Sequence, residues 1–70
     1  MMPLNFAEPG KDYQILKVGG NPAVKKHLEE LGFVVDGTVQ VINTLGGNLI
    51  VNVKETRVAI SKEMAQKIMV

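Results

Sequence analysis

Apolar and polar residues alternate along much of the chain, and this pattern predicts short strands. In residues 48–54, Leu49, Val51 and Val53 occupy every second position, which is typical of a strand with one buried face. A shift of one residue in the pairing would turn all three toward solvent, so this strand has the best-defined register. Similar runs bring the predicted strands to five: residues 13–18, 38–43, 48–54, 56–60 and 67–70.

One segment has the period of a helix instead. Val24, Leu28 and Leu31 lie at positions i, i+4 and i+7, so they share one helix face. The charged residues between them point away from that face. We therefore predict one amphipathic helix, inserted after the first strand, with one face made for burial.

The ends of this helix are marked by residues with specific backbone roles. Asn21 can accept a hydrogen bond from a free N–H of the first turn, and Pro22 has a preset helical φ. Gly32 can adopt the left-handed conformation that ends a helix, and Phe33 follows where an apolar residue packs back on the last turn. The helix is thus predicted to begin at Asn21 and to end at Gly32.

The two ends of the chain complete the predicted fold. Leu4 and Phe6 are expected to pack against the core, and Ser61 suits the N-cap of a short helical turn at residues 61–66. Five short strands are too few for an ordinary two-sheet sandwich, and an open sheet would leave long edges exposed. The pattern therefore predicts a mainly β fold, a small antiparallel β-barrel.

Length and composition limit what the chain can be. Seventy residues form a single domain, residues 1–70, whose core must be economical. The formal net charge of +1 comes from scattered residues and provides no polyanion-binding tail. No apolar run approaches the roughly 20 residues that span a bilayer, and the first residues lack the features of a signal peptide. We expect a cytoplasmic protein without direct membrane insertion.

The residue types disfavour catalysis. The chain has no cysteine and a single serine, Ser61, which is far in sequence from the only histidine, His27. Nucleophilic catalysis needs a nucleophile beside a base and an orienting group, so we do not expect an enzyme. Nucleic-acid binding by base stacking is also disfavoured, because the chain has one tyrosine, two phenylalanines and no tryptophan.

His27 and Glu30 are the candidate metal ligands. They lie three residues apart on the predicted helix, so both could reach one transition metal ion. Two ligands are fewer than the three or four that such an ion usually takes from protein. Water or a second subunit would have to complete the site, which leaves metal binding and a homo-oligomer open as hypotheses.

The charges on the helix conflict with its dipole. Lys25 and Lys26 fall near the N-terminus, whereas Glu29 and Glu30 fall near the C-terminus. This order is opposite to the one that the helix macrodipole favours. Local conflicts of this kind tend to mark functional surface, although burial of the apolar face could also outweigh the cost.

Several motifs resemble one known family. Residues 19–41, G-G-N-P-A-V-K-K-H-L-E-E-L-G-F-V-V-D-G-T-V-Q-V, resemble the signature of the FeoA family of small ferrous iron transport accessory proteins. R-V-A-I at residues 57–60 and E-M-A-Q-K-I-M-V at residues 63–70 resemble the later strands of that family. The chain departs from the family in having Asp36-Gly37 in place of Pro-Gly, and in having a shorter hairpin near residues 45–48.

The resemblance implies an SH3-like barrel of about five strands and a function by contact. The partner would be the cytoplasmic region of the membrane ferrous iron transporter (FeoB), which contains a GTP-hydrolysing domain. A metal-binding or metal-sensing module is the alternative, and a general peptide- or nucleic-acid-binding barrel is a weaker one. The candidate partner contacts are Lys25, Lys26, Glu29, Glu30 and Arg57.

Overall fold

Short antiparallel strands make up most of the fold. The computed structural model describes every residue from Met1 to Val70. Along the chain the elements are a 3₁₀ turn (Leu4–Phe6), β1 (Asp12–Gln14), β2 (Lys17–Val18), α1 (Pro22–Leu31), β3 (Thr38–Leu45), β4 (Asn48–Val53), β5 (Thr56–Ser61), α2 (Lys62–Ala65) and β6 (Ile68–Met69).

The strands form two antiparallel sheets. Four strands hydrogen-bond in the order β1-β3-β4-β5, and β2 pairs with β6. In the centre of the larger sheet, Val51 lies opposite Val41 on one side and Val58 on the other. Leu49, Val51 and Val53 are buried and the residues between them are not, which confirms the alternation predicted for this strand. The mainly β fold and its antiparallel pairing are therefore as predicted.

The first predicted strand, at residues 13–18, is not continuous. Its first part belongs to β1, which pairs with β3, whereas its last part is β2, which pairs with β6. Between them, the Ile15 N–H donates to the Gly37 carbonyl at 2.8 Å and the Leu16 N–H donates to the Met69 carbonyl at 2.8 Å. The chain thus passes from one sheet to the other between Ile15 and Leu16. A small core is enclosed in this way, and the strands number six instead of five.

Both ends of α1 have the predicted cap geometry. Asn21 Oδ1 accepts a hydrogen bond from the Val24 N–H at 2.9 Å. Gly32 is left-handed, with φ 112° and ψ 1°. The Phe33 N–H then donates to the Leu28 carbonyl at 3.0 Å, which satisfies a free carbonyl of the last turn. Local backbone chemistry therefore sets the length of this helix.

The core is entirely apolar, and one expected member is missing from it. Leu4 is fully buried, but Phe6 is 71% exposed, so the prediction that Phe6 packs on the core is wrong. The two residues lie in a 3₁₀ turn, whose three-residue repeat places positions i and i+2 on different sides. The buried residues are Leu4, Ala7, Ile15, Val18, Leu28, Phe33, Val39, Val41, Leu49, Val51, Val53, Ile60, Ala65, Ile68 and Val70.

The C-terminal segment closes the fold. Ser61 Oγ accepts a hydrogen bond from the Met64 N–H at 3.2 Å, which confirms Ser61 as the cap of the short helix α2. After β6, the backbone of Val70 pairs with that of Met2 through two hydrogen bonds of 2.8 Å. The two ends of the chain therefore lie side by side.

Two tight turns join the last strands of the larger sheet. The turn between β3 and β4 has Gly46 at φ 55° and Gly47 at φ 84°, which suits glycine. The turn between β4 and β5 has Lys54 at φ 50° and Glu55 at φ 62°. Residues with a Cβ atom rarely adopt this conformation, so the second turn holds two charged side chains on strained backbone.

Candidate functional site

The strongest candidate surface is the outward side of α1. Lys25, Lys26, Glu29 and Glu30, which we call the α1 polar face, are all exposed. The opposite side of the helix is fixed to the protein, because Leu28 is fully buried and Val24 and Leu31 pack against the core. The structure thus presents the four charges on a rigid element.

The order of these charges does not help the helix. The first turn of α1 contains no acidic residue and the last turn contains no basic residue. Charges in this order are destabilising by about 0.3–1 kcal/mol each where they are exposed and near a helix end. Packing of the apolar side offsets that cost.

A lysine from another element lies at the C-terminal end of α1. A Cβ atom built on Gly32 would be 3.4 Å from Cδ and 3.5 Å from Cγ of Lys54. The Lys54 side chain therefore runs along the helix end, where a positive charge is favourable. Lys54 belongs to the β4–β5 turn, and only the tertiary fold brings it to the helix.

Arg57 lies on a different element from the other candidates. It is in β5, an edge strand of the larger sheet, opposite Asn52 of β4. The side chain is exposed on the face away from the core, since Ile60, three positions further along the strand, is buried at an inward position. Arg57 thus forms a patch of its own next to the strained turn.

The candidate metal ligands are both on the surface. His27 and Glu30 are exposed residues of α1. Nowhere in the chain do three or more His, Cys, Asp or Glu side chains form a group that could hold a metal ion. Any ion bound by His27 and Glu30 would need its remaining ligands from water or another molecule.

The hydroxyl of the single serine is engaged at a helix end. The Ser61 hydroxyl accepts a hydrogen bond from the Met64 backbone as the cap of α2. Its structural partner is thus a helix end, and His27 is on the other helix, α1. Neither helix has the length and apolar character needed to span a membrane.

Sequence reasoning missed one concave site, a cleft of about 330 Å³ beside the smaller sheet. Lys17 comes from β2, and Lys67 from the segment just before β6. No motif joins these residues along the chain, and only the pairing of β2 with β6 brings them together. The lining residues are Met1, Lys17, Gly19, Gly20, Gln66, Lys67 and Met69.

Comparison with known proteins gives a consistent assignment. The model of the FeoA domain family matches residues 2–70. A Methanocaldococcus jannaschii protein proposed as Fe(2+) transport protein A is 30% identical over 70 residues, which are 100% of this chain and 85% of that protein. The family resemblance of the motifs is therefore confirmed over nearly the whole sequence.

Solved structures extend the similarity to the fold. A crystal structure of an iron uptake regulatory protein (FeoA) has a TM-score of 0.88 and 28% identity, covering 97% of this chain and 90% of that one. FeoA of Stenotrophomonas maltophilia, solved with zinc, has a TM-score of 0.83 and 28% identity, covering 99% and 88%. The latter is described as an SH3 domain protein, and it is proposed to act as a ferrous iron transport activating factor. The expected SH3-like fold is confirmed.

Proposed function

Because the chain belongs to the FeoA domain family, we propose that it supports ferrous iron uptake as a non-enzymatic accessory protein. It acts in the cytoplasm, by contact with the cytoplasmic region of the membrane ferrous iron transporter (FeoB). The roles proposed for its M. jannaschii and S. maltophilia relatives support this function.

The observation that carries the proposal is the α1 polar face. Two lysines and two glutamates are exposed on a helix whose other side is buried, in an order that the helix dipole disfavours. Complementary charges on a partner would gain from this arrangement, and they would also fix the orientation of the complex. Arg57, together with the neighbouring charges of the strained turn, provides a second contact.

Reversing the two lysines tests this surface. The double variant Lys25→Glu/Lys26→Glu is expected to weaken binding to the isolated cytoplasmic region of the transporter by about tenfold. The reason is that two favourable charge contacts become repulsive. Isothermal titration calorimetry at low and high salt measures the effect, which is expected to shrink as salt screens the charges.

A matched variant separates local contacts from overall charge. Lys11→Glu/Lys62→Glu also reverses two exposed lysines, so both variants change the formal net charge from +1 to −3 (1 − 4). Only the α1 variant is expected to lose affinity. Equal losses in the two variants would assign the effect to net charge, and unchanged affinity in both would remove the α1 polar face from the proposal.

The zinc complex of the S. maltophilia relative favours a second candidate function, metal binding. In this chain His27 and Glu30 would supply two ligands, and a second copy of the chain or water would supply the others. On this alternative, Zn²⁺ or Fe²⁺ at stoichiometric concentration shifts the His27 ring signals in NMR spectra, and His27→Ala removes metal binding. Unshifted ring signals would reject His27 as a ligand.

A further inference from the structure

The cleft beside the smaller sheet has two lysines on the same face of a two-stranded ribbon. Lys17 is paired with Met69, and the Gly19 N–H donates to the Lys67 carbonyl at 2.7 Å. Residues two apart on a strand face the same side, so Lys17 and Gly19 share a face with Lys67 and Met69. Lys17 and Lys67 are therefore diagonal neighbours, and Gly19, which lies opposite Lys67, adds no side chain to this face.

The absence of a side chain at Gly20, in the turn after β2, leaves room for the Lys67 side chain. Gly20 has φ 97°, and a Cβ atom there would lie 3.0 Å from Cδ of Lys67 and 3.1 Å from Cγ1 of Val24. Lys67 is half-buried, because its stem lies over this turn. Its position is thus set by packing, in contrast to that of a freely moving surface lysine.

No acidic side chain in the lining balances the positive charges of the two lysines. Two of the seven lining residues are lysines and none is an aspartate or glutamate. Like charges at diagonal positions of a ribbon repel each other, so the arrangement gains nothing for the fold. An anion between Lys17 and Lys67 would remove that repulsion.

The backbone chemistry favours a carboxylate over a phosphate. Phosphate sites in proteins commonly use free N–H groups of a helix N-terminus or the planar fork of an arginine. Here the Gly19 N–H is bound to the Lys67 carbonyl, the Val24 N–H is bound to Asn21, and Pro22 has no N–H. The lining contains no arginine. The charged side chains of the lining are two lysines, whose ammonium groups act as point charges.

The methionines of the lining suit an anion that is part of a protein. Met1 and Met69 line the same cleft as the lysines. Methionine side chains are flexible and polarizable, and they adapt to the apolar side chains of a partner. A segment that combines acidic and apolar residues would therefore satisfy both kinds of lining residue.

We propose that this cleft binds an acidic segment of a partner protein, with a carboxylate between Lys17 and Lys67 and an apolar side chain against Met1 and Met69. The site is on β2 and β6, so it is separate from the α1 polar face. The proposal goes beyond the function proposed above. It does not depend on the identity of the partner.

The experiment uses the full chain, labelled with ¹⁵N, and a short peptide of alternating Glu and Leu with blocked ends. Saturable shifts are expected at the amides of Gly19, Gly20 and Lys67, and they should weaken as salt is added. The same peptide with Gln in place of Glu is expected to bind more weakly by tenfold or so, since both charge contacts are lost. Equal shifts with the two peptides would overturn the proposal.

Variants and a second ligand complete the test. Lys17→Gln and Lys67→Gln are each expected to weaken peptide binding by about three- to fivefold, whereas Lys11→Gln leaves it unchanged. A circular dichroism melt of each variant confirms that it is folded. Inorganic phosphate is the competing ligand: if it shifts the same amides at lower concentration than the Glu peptide does, the cleft is an anion site of another kind and the proposal fails.

Discussion

Phe33→Ala is expected to lower the free energy of unfolding by about 3–5 kcal/mol, because it removes the largest fully buried side chain of the core. A domain of this length has a total stability of about 4–10 kcal/mol, so the variant loses roughly 30% or more of it. Urea unfolding followed by far-ultraviolet circular dichroism measures the change. We expect the variant to unfold at a much lower urea concentration than the parent protein. If the stability of the parent is near the lower end of this range, the variant is expected not to fold at all.

The chain contains a matched control for this substitution. Phe6 is the only other phenylalanine and is 71% exposed, whereas Phe33 is fully buried. Phe6→Ala makes the same chemical change and is expected to alter stability by no more than about 0.5 kcal/mol. Losses of similar size in the two variants would mean that Phe6 packs on the core in solution, contrary to the structure.

Substitution of Gly32 is expected to have the next largest effect, through backbone conformation. Gly32→Val should cost about 2–3 kcal/mol, because a β-branched residue is strained at φ 112°. The Cβ atom itself has room. A Cβ atom at this position would meet Lys54 and Val53 at 3.4–3.5 Å, which is ordinary contact. Urea unfolding measures this loss as well.

A series at this position separates conformation from size. Gly32→Ala is expected to cost about 1–2 kcal/mol, and Gly32→Asn less than Gly32→Ala, since asparagine tolerates left-handed backbone. Asparagine is larger than alanine, so a purely steric effect would reverse this order. If stability instead falls with side-chain volume, contact with Lys54 limits the site and the conformational explanation is wrong.

The features that sequence reasoning predicts well are those encoded within a few residues. Asn21, Gly32 and Ser61 act on N–H or carbonyl groups of their own helix ends, so each can be identified without knowledge of the fold. The alternation that identifies β4 is equally local. The SH3-like architecture came from the family resemblance, because periodicity alone indicated only a small barrel.

The features that it misses depend on contacts between distant segments. Residues 13–18 have the composition of one strand, but their first part pairs with β3 and their last part pairs with β6. The division between Ile15 and Leu16 therefore cannot be predicted from the residues of that stretch alone. Phe6 is apolar in a segment whose 3₁₀ conformation turns it outward. In both cases contacts in the tertiary structure determine the conformation, and they override the local sequence pattern.

The candidate site also combines features that are encoded locally with features that depend on distant segments. The exposure of the α1 polar face could be predicted from helix periodicity, and the structure places all four of its residues on the surface. The approach of Lys54 to Gly32 could not be predicted, since 21 residues lie between them in the sequence. The cleft of Lys17 and Lys67 depends on pairing between β2 and the last strand. Both are results of chain topology.

The pairing of Met2 with Val70 holds the first and last segments described here side by side, through two hydrogen bonds of 2.8 Å. In such an arrangement the fold depends on the contacts between segments more than on their order along the chain. The exposed Gly46-Gly47 turn is a natural place for a new opening, because no side chain packs there. A circular permutant that begins at Gly47 would retain every sheet pairing described here, and adjacent ends also suit insertion into a surface loop of a larger protein.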